Sequence, residues 1–492
     1  MLRILYVPIL SSKTLSACGS FNSSKVYIKN IVEQNDDVVF YFAYPDRDDI
    51  DVSALSYFDG LDRVIKVPMS FSPMGDAMPK GSTDQIFAMF YTPIDLIDRF
   101  RGPDGEYIVD MLITESSRAA YFTHLVLNDH LKCAQQMIPL VTFHQFQIVK
   151  DAHMKKASDD FEYAQYLGAL SGWNLWGCMT KFEAQMRSAR KWFKPSVIRK
   201  IRDRTCYDVN TPIDCERIDR FMQEKSKDEC LVNFGSRWNT TYYLDEIIEE
   251  FDRMYKAGRK VKFIVTTPSR GLGSGGGRLK GDMEKRGFDF DFHLSLGQEE
   301  FYKIASRCHI APFFGKNGEL GLSIRERAYM RVAPVVPDAP LFDEMFPTWK
   351  YKYKSKAEMR TIIRYLQDNY WSPEVQQELD ILQEDMRLRY GGKESSIRYM
   401  SFLRHVEAEE FKLQEKSVTR ASGLMKELFD KVGWPDSITH DELRAFIKKH
   451  SDSGLDIHVT WAGTSRMLYR KGIAILGYVD EGIEHPVYVR GK

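Results

Sequence analysis

The stretch from Asn317 to Asp338, NGELGLSIRERAYMRVAPVVPD, decides how the second half of this chain folds. A glycine-rich turn with one acid opens it, and a short apolar run leads into three consecutive charges at residues 325–327. The closing VAPVVPD has the composition of a buried strand that a proline ends. We therefore predict a glycine loop, a charged helix and a buried strand in succession.

The alternation of short apolar runs and helical stretches extends outward from this segment in both directions. The predicted strands are RILYVPIL, DDVVFYFAYP, DRVIKVPM, YIVDMLIT and MIPLVTFH in the first half, and CLVNFGSRW, KVKFIVTTP, FDFHLSL and HIAPFF in the second. Short apolar strands joined by helices indicate parallel sheets covered on both faces. We predict an α/β fold of two doubly wound, Rossmann-like lobes, residues 1–215 and 216–416, with a helical return segment closing the second.

Two other segments complete the prediction for the lobes. The aromatic-rich region from about Phe161 to Phe193 is predicted to be helical. The stretch from Val197 to Phe221 is predicted to be a strand-and-turn connector between the lobes.

The tail, residues 417–492, predicts a third, α+β domain. Three helical stretches follow one another, ASGLMKELFDKVG, SITHDELRAFIKKHS and VTWAGTSRMLYRKG, and the second has Thr439 as a helix cap with Glu442 three residues on. A two-stranded hairpin around residues 480–482 follows them. This order of elements is that of a winged helix-turn-helix.

Composition bounds the class of protein. Apolar residues make up 43% of the 492 and charged residues 28%, which is ordinary for a soluble globular chain. The 69 basic and 69 acidic residues cancel, so any nucleic-acid contact has to come from a local patch. The seven cysteines form no C-x-x-C pair, which predicts reduced thiols and no metal site. A poor signal peptide and no apolar run of bilayer length predict a cytoplasmic protein without a membrane partner.

The glycine loop before Ile324 has a chemical use in two doubly wound lobes, because such sheets bind ligands at the carboxyl ends of their strands. Unpaired N–H groups at the start of a helix bind anions, and nearby arginines add donors for a diphosphate. Glu326, one turn into the helix, is placed to hold ribose hydroxyls.

These motifs, in this order, resemble the GT-B glycosyltransferases of the large nucleotide-sugar family that includes glycogen and sucrose-phosphate synthases, over about residues 1–400. GELGLSIRERAYMRVAPVVPD is similar to the family segment E-G-F-G-L-S-x-x-E-A, and NFGSRW to its G-R-L turn. The resemblance implies a donor site on the second lobe, in which Glu326 binds ribose and Arg237 binds phosphate. The donor-site residues it implies are Gly235, Arg237, Arg270, Gly321, Leu322, Ser323 and Glu326.

The same resemblance assigns the chemistry and the acceptor side. IPLVTFHQF resembles the strand that ends in the family's sugar-facing histidine, so His144 and Glu319 are the implied catalytic residues. On the acceptor side, Gly19 resembles the family's glycine loop. Glu115, an acid able to act as a base, and Arg118, in a basic loop expected to line a DNA groove, are the other residues predicted there. The chain departs from the family at two points: Gly318 aligns with its first glutamate, and the run at residues 239–241 replaces the lysine after the G-R-L turn. Arg270, Arg278 and Arg325 are the candidate replacements for that missing cation.

The family resemblance implies transfer of a hexose or pentose from a nucleotide sugar, with a UDP-sugar favoured and no obligatory cofactor. No D-x-D-like element stands where a metal-dependent site needs one, so no metal is predicted. Retention of configuration is implied, and inversion with Glu115 as the base stays open.

The tail indicates which molecule is the acceptor. Its third predicted helix contains Arg466, Arg470 and Lys471 and no acid from Val459 to Gly472, which suits contacts with DNA phosphates. Docking of another protein is the alternative use of such a module. A winged helix joined to a transferase predicts double-stranded DNA as acceptor, at hydroxymethylated pyrimidines, as in bacteriophage enzymes that act in the host-cell cytoplasm. Two alternatives stay open: a polysaccharide or protein acceptor, or a DNA-binding regulator whose lobes sense a nucleotide sugar.

Overall fold

A computed structural model gives the architecture of the chain. It describes residues 1–8, 15, 19–46, 51–69, 99–100, 108–115, 140–144, 166, 169–170, 172–206, 211–235, 249, 252–253, 255–256, 261–267, 276–294, 296–313, 322–409, 437–439, 445, 449, 474–480 and 483–489.

The first lobe is built on a sheet of seven parallel strands in the order β3-β2-β1-β4-β5-β6-β7. The chain starts in the middle, winds to one edge, returns and winds to the other, which is the doubly wound order. β4 and β6 are buried at every position, because helices cover both faces of such a sheet. The strands are β1 Leu2–Val7, β2 Val38–Pro45, β3 Val64–Met69, β4 Met111–Thr114, β5 Leu140–His144, β6 Trp173–Trp176 and β7 Thr205–Cys206.

The second lobe repeats this winding with six parallel strands in the order β10-β9-β8-β11-β12-β13. The two doubly wound lobes predicted from the apolar runs are therefore confirmed. The strands are β8 Leu231–Gly235, β9 Lys262–Thr267, β10 Phe290–Leu294, β11 Ile310–Pro312, β12 Ala333–Pro337 and β13 Lys352–Tyr353.

Helices connect the strands and cover the sheets. They are α1 Gly19–Gln34, α2 Met179–Ala189, α3 Pro195–Asp203, α4 Cys215–Phe221, α5 Gly276–Lys285, α6 Gln298–Ser306, α7 Leu322–Tyr329, α8 Pro340–Met345, α9 Lys356–Asn369 and α10 Pro373–Tyr390. A short 3-10 helix covers Ser53–Phe58.

The chain passes between the lobes twice, at neighbouring places. On the outward passage the N–H of Ile213 donates to the carbonyl of Tyr390 at 2.7 Å, beside the return passage. A helix over residues 392–409 then lies on the first lobe, where Tyr399 packs edge-on against Tyr27 with ring centroids 4.7 Å apart. The return segment therefore adds its apolar face to the core of the first lobe. The domain boundaries at 215 and 416 stay a prediction.

Two predictions for the connecting regions were wrong. The region 161–193, predicted to be helical, contains the strand β6, because the run Trp173–Trp176 is apolar enough to be buried on both faces. The stretch Val197–Phe221, predicted to be strand and turn, contains the helices α3 and α4. Proline at the first turn of α3 and the buried pair Ile198 and Ile201, spaced three apart, are helical signals that outweigh the local β-branched content.

The tail contains a three-stranded antiparallel sheet in the order β14-β16-β15. The strands are β14 Ser437–Thr439, β15 Ala474–Asp480 and β16 Ile483–Val489. The hairpin predicted around residues 480–482 is confirmed, since Asp480 pairs with Ile483. β14 occupies the start of the stretch predicted as the second helix, so SIT is a strand there. The winged-helix assignment stays a prediction, because most of residues 440–473 lie outside the described part.

Candidate active site

The three charges of α7 point in three directions, because successive residues of a helix are turned by about 100°. Arg327 points toward the end of β8. Its Nη1 donates to Oδ1 of Asn233 at 2.8 Å, its Nη2 to the carbonyl of Gly235 at 3.1 Å, and its Nε to the carbonyl of Ser323 at 2.8 Å. This guanidinium joins the first turn of α7 to the carboxyl end of β8.

Gly235 provides space for this packing. A Cβ built there would lie 2.8 Å from Oγ1 of Thr266 and 3.0 Å from Nη1 of Arg327, closer than side chains normally approach. The glycine therefore lets Arg327 reach the strand end. Gly235 also belongs to the predicted phosphate turn. Arg237 of that turn lies outside the described residues.

Arg325 points the opposite way, toward the passage between the lobes. It is fully buried, and its Nη1 donates to the carbonyl of Thr211 at 2.6 Å. Its guanidinium lies over the ring of Tyr390, 4.6 Å from the centroid. Burial lowers the pKa of this guanidinium. Arg325 thus holds α7 to the interlobe chain, and it is not the replacement for the missing phosphate cation that the sequence offered.

Glu326 lies between these two arginines and faces α6. Its Oε1 accepts a hydrogen bond from the hydroxyl of Tyr302 at 2.8 Å, and burial raises the pKa of the carboxyl group. The residue is buried, with 7% of its surface exposed. A carboxylate can accept about four hydrogen bonds, which leaves capacity for the hydroxyls of a ligand.

Lys25 of α1 comes from the other lobe and reaches the same region. Its Nζ donates to Oδ1 of Asn22 and to Oε1 of Gln298, each at 2.8 Å, and it lies 4.9 Å from the ring centroid of Tyr57. The hydroxyl of Tyr57 in turn donates to Oδ2 of Asp214, at the start of α4. First-lobe and second-lobe side chains therefore meet next to Glu326.

A second contact between the lobes involves Glu344 on α8. Its Oε1 accepts from the N–H of Met179 at 2.7 Å, and its Oε2 from the N–H of Thr180 at 2.8 Å and from Sγ of Cys178 at 3.2 Å. Free N–H groups at the start of a helix attract a carboxylate. The second lobe thereby caps α2 of the first.

The carboxyl edge of the first sheet carries two predicted site residues, Glu115 of the acceptor side and the catalytic candidate His144. Glu115 follows β4 and is buried, and its Oε1 accepts from the hydroxyl of Tyr6 at 2.6 Å. His144 is the last residue of β5, and the register Thr114 to Thr142 puts both at the same edge on neighbouring strands. Gly19 is the first residue of α1. The backbone thus brings Glu115 and His144 to one edge of the sheet.

Leu322 and Ser323 are the first two residues of α7, and their role in donor binding stays a prediction. The other predicted site residues lie outside the described part of the chain. They are Arg118, Arg237, Arg270, Glu319, Gly321, Arg466, Arg470 and Lys471. Their roles stay predictions.

Sequence reasoning missed Lys25, Gln298 and Tyr302. One signal was available for the lysine: it stands between Phe21 and Ile28 on the face of α1 that is buried, where an apolar residue is expected. No comparable local signal marks Gln298 or Tyr302, since their importance depends on a contact with α1.

Comparison with solved structures identifies the fold. HepE from Anabaena, in complex with UDP and glucose, has a TM-score of 0.57 at 12% identity, covering 82% of this chain and 100% of that one. Sucrose-phosphate synthase from Thermosynechococcus elongatus has a TM-score of 0.59 at 11% identity, covering 83% and 100%. UDP-GlcNAc 2-epimerase from Neisseria meningitidis, bound to UDP-GlcNAc, has a TM-score of 0.50 at 11% identity, covering 82% and 100%.

No protein-family model and no curated protein matches the sequence. The likeness to the solved structures, together with the two doubly wound sheets, shows a GT-B fold over most of the chain. Within the described residues, no helix combines the length and the apolar character needed to cross a bilayer.

Proposed function

We propose that the protein is a glycosyltransferase that uses a nucleotide sugar, with a UDP-sugar as the favoured donor. One observation carries the proposal: in a GT-B fold, Glu326 of α7 accepts a hydrogen bond from Tyr302 of α6. The sequence resemblance aligns this glutamate with the family's ribose-binding glutamate. The similarity in fold to HepE, whose structure holds UDP and glucose, supports UDP as the nucleotide.

In this proposal the second lobe binds the donor. Glu326 accepts hydrogen bonds from ribose hydroxyls, and the N–H groups at the start of α7 with Arg237 bind the diphosphate. The bond between the sugar's anomeric carbon and the diphosphate oxygen breaks, the acceptor oxygen takes its place on that carbon, and the proton of the acceptor hydroxyl passes to the leaving diphosphate. Donors already in position stabilise the charge that develops on the leaving diphosphate. The first lobe presents the acceptor near Glu115 and His144.

The acceptor we propose is a hydroxymethylated pyrimidine in double-stranded DNA. The antiparallel sheet of the tail supports this, because its hairpin β15–β16 is suited to be the wing of a winged helix. The basic residues 466, 470 and 471 would contact phosphates from the helix that the sequence predicts before the hairpin. The target base has to leave the stack before its hydroxymethyl group can reach the cleft. The three domains, 1–215, 216–416 and 417–492, and the site of action in a phage-infected cytoplasm belong to this proposal.

A panel of nucleotide-release reactions tests both levels of the proposal. UDP- and GDP-sugars are each incubated with the protein alone, with unmodified duplex DNA, and with duplex DNA containing 5-hydroxymethylcytosine or 5-hydroxymethyluracil. The matched control for transfer is the Glu326→Gln variant, in which a neutral amide of the same size replaces the carboxylate. The mass of the DNA bases is measured after each reaction.

We expect UDP release that depends on modified DNA, with a gain of one sugar on the hydroxymethylated base. Slow nucleotide release at the same rate with and without DNA would support a transferase and contradict a DNA acceptor. The acceptor would then be a polysaccharide or a protein. Absence of release with every donor would contradict the enzyme and favour a DNA-binding regulator that senses a nucleotide sugar.

A further inference from the structure

A chain of hydrogen bonds runs from the first lobe into the second and ends on Glu326. Nζ of Lys25 donates to Oε1 of Gln298 at 2.8 Å, and Nε2 of Gln298 donates to the hydroxyl of Tyr302 at 2.6 Å. That hydroxyl donates to Oε1 of Glu326 at 2.8 Å. These four side chains are called the Lys25 relay below.

The direction of every bond in the Lys25 relay follows from its first member. An ammonium group can only donate, so the amide oxygen of Gln298 must face Lys25 and its NH₂ must face Tyr302. The hydroxyl oxygen of Tyr302 accepts there, which leaves its single proton for Glu326. Burial raises the pKa of this hydroxyl well above its ordinary value, so the proton stays on the oxygen. One cation thus orients a hydrogen-bond donor onto the carboxylate.

Packing alone does not explain a lysine at this position. Lys25 is 3% exposed, and its described hydrogen-bond partners are two neutral amide oxygens, those of Asn22 and Gln298. No described carboxylate forms an ion pair with it. A buried ammonium group without such a partner is unfavourable compared with an apolar side chain. The negative charges that favour the ammonium form are those of Asp214, which contributes more, and of Glu326, at the far end of the relay.

We propose that Lys25 is a positioning residue for the nucleotide of a nucleoside-diphosphate sugar: through the relay it directs the proton of Tyr302 onto Glu326 and fixes that carboxylate to accept ribose hydroxyls. This rests on the proposed function of Glu326. Because Lys25 belongs to the first lobe, the relay is complete only when the two lobes meet as they do here. Nucleotide affinity is therefore coupled to the apposition of the lobes.

A double-mutant cycle on UDP binding tests the relay as a unit. The variants are Lys25→Met, Tyr302→Phe and the two combined, with affinity measured by titration calorimetry at pH 7. Lys29→Met is the matched control, because Lys29 lies one turn further along α1 and pairs instead with Glu216 at 3.5 Å.

We expect Lys25→Met and Tyr302→Phe each to weaken UDP binding by about tenfold, the effect of one hydrogen bond to a charged group. The double variant should bind no more weakly than Tyr302→Phe, because residues in one network are not additive. Lys29→Met should bind as the wild type does. The melting temperature of Lys25→Met should stay near that of wild type, since a methionine removes a buried charge from an apolar face.

The pH dependence gives a readout that a purely structural lysine would not move. Burial, and after it the charge of nearby Arg217, lower the pKa of Lys25 to about 8 against the opposing effect of Asp214 and Glu326. Tyr57 covers the group from the 3-10 helix. Above that pH the neutral amine can accept as well as donate, and the relay loses its direction. UDP affinity of the wild type should fall from pH 7 to 9, and that of Lys25→Met should change less.

The outcomes separate this inference from the proposed function. Wild-type protein that binds UDP while Lys25→Met binds equally tightly would overturn the inference alone. Additive losses in the double variant would do the same. Wild-type protein that binds neither UDP nor any nucleotide sugar would overturn the proposed function, and the role of Lys25 with it.

Discussion

The helices α1 and α7 both bury charge where the two lobes meet, and they do so in different ways. Arg325 and Arg327 of α7 donate to main-chain carbonyls of Thr211 and Gly235, groups that stay in place whatever the neighbouring side chains are, and Arg327 adds the side-chain amide of Asn233 in its own lobe. Lys25 of α1 donates to side-chain amides, one of them in the other lobe.

This difference distinguishes buried charges that stabilise the fold from a buried charge that positions a binding residue. A guanidinium bound to fixed carbonyls contributes stability in every state of the protein. An ammonium group that donates to a side chain of the opposite lobe keeps that hydrogen bond only while the two lobes stay in this arrangement. We expect substitutions on α7 at the arginines to act on folding, and substitution of Lys25 to act on binding.

The largest expected effect is on stability, from Arg325→Ala. It leaves the carbonyl of Thr211 without its donor and opens a cavity beside Tyr390, which should lower the free energy of unfolding by about 3 kcal/mol or more. Denaturant unfolding measures it, with the exposed Arg307→Ala as control, expected within about 0.5 kcal/mol of wild type. If Arg325→Ala is as stable as wild type but does not bind UDP, then Arg325 contacts the ligand. The contrast between the arginines of α7 and Lys25 would then be wrong.

A buried histidine in the second lobe should make stability depend on pH. Nδ1 of His309 accepts from the N–H of Leu231 at 3.1 Å, and Nε2 faces the carbonyl of Ser226 at 2.8 Å, so a second ring proton would point at a donor. Desolvation by burial is the largest cause that lowers the pKa of His309, to about 4, from an ordinary value of 6.5. Between those values the unfolded chain binds a proton and the native chain does not.

Stability should therefore fall as the pH drops from about 6.5 to 4, by roughly 2–3 kcal/mol. Denaturant unfolding of wild type and His309→Gln across this range isolates the contribution, because glutamine cannot titrate. The variant should be less stable at pH 7 and show a smaller pH slope. Equal slopes would mean that His309 is protonated in the native protein.

The smallest effect expected on stability comes from the contact between the lobes at Glu344. Glu344→Gln removes the charge that caps α2, which should lower the free energy of unfolding by about 1 kcal/mol. Asp343→Asn is the matched control one residue away, since its ion pair with Lys352 is on the surface and should contribute less. Equal effects of both variants in thermal unfolding would mean that the charge of Glu344 does not help to join the lobes.

The sequence predicted the elements that depend on local pattern. Apolar runs between helical stretches were enough for two doubly wound sheets, and the glycine loop before Ile324 was enough to place Glu326 in the first turns of a helix. The strand β6 was missed because an apolar, aromatic run such as Trp173–Trp176 suits a buried helix as well as a buried strand.

The parts that could not be predicted depend on contacts between distant residues. The consecutive positions 325–327 in a helix show that the three charged side chains point in different directions. They do not show which side chain contacts the chain between the lobes and which contacts the end of β8. Lys25 and Gln298 are 273 residues apart, and their hydrogen bond exists only once two lobes have folded and met. The role of the glutamate could be predicted from a motif; the side chains that orient it could not.

The most direct test of the central claim is UDP binding by wild type and by Glu326→Gln, measured by titration calorimetry at pH 7. Glu300→Gln on α6, whose carboxylate is exposed and pairs with Lys303, serves as the control. We predict that wild type and the control bind UDP alike and that Glu326→Gln binds about tenfold or more weakly, because an amide is a weaker acceptor for ribose hydroxyls. Equal binding by all three proteins would contradict the account.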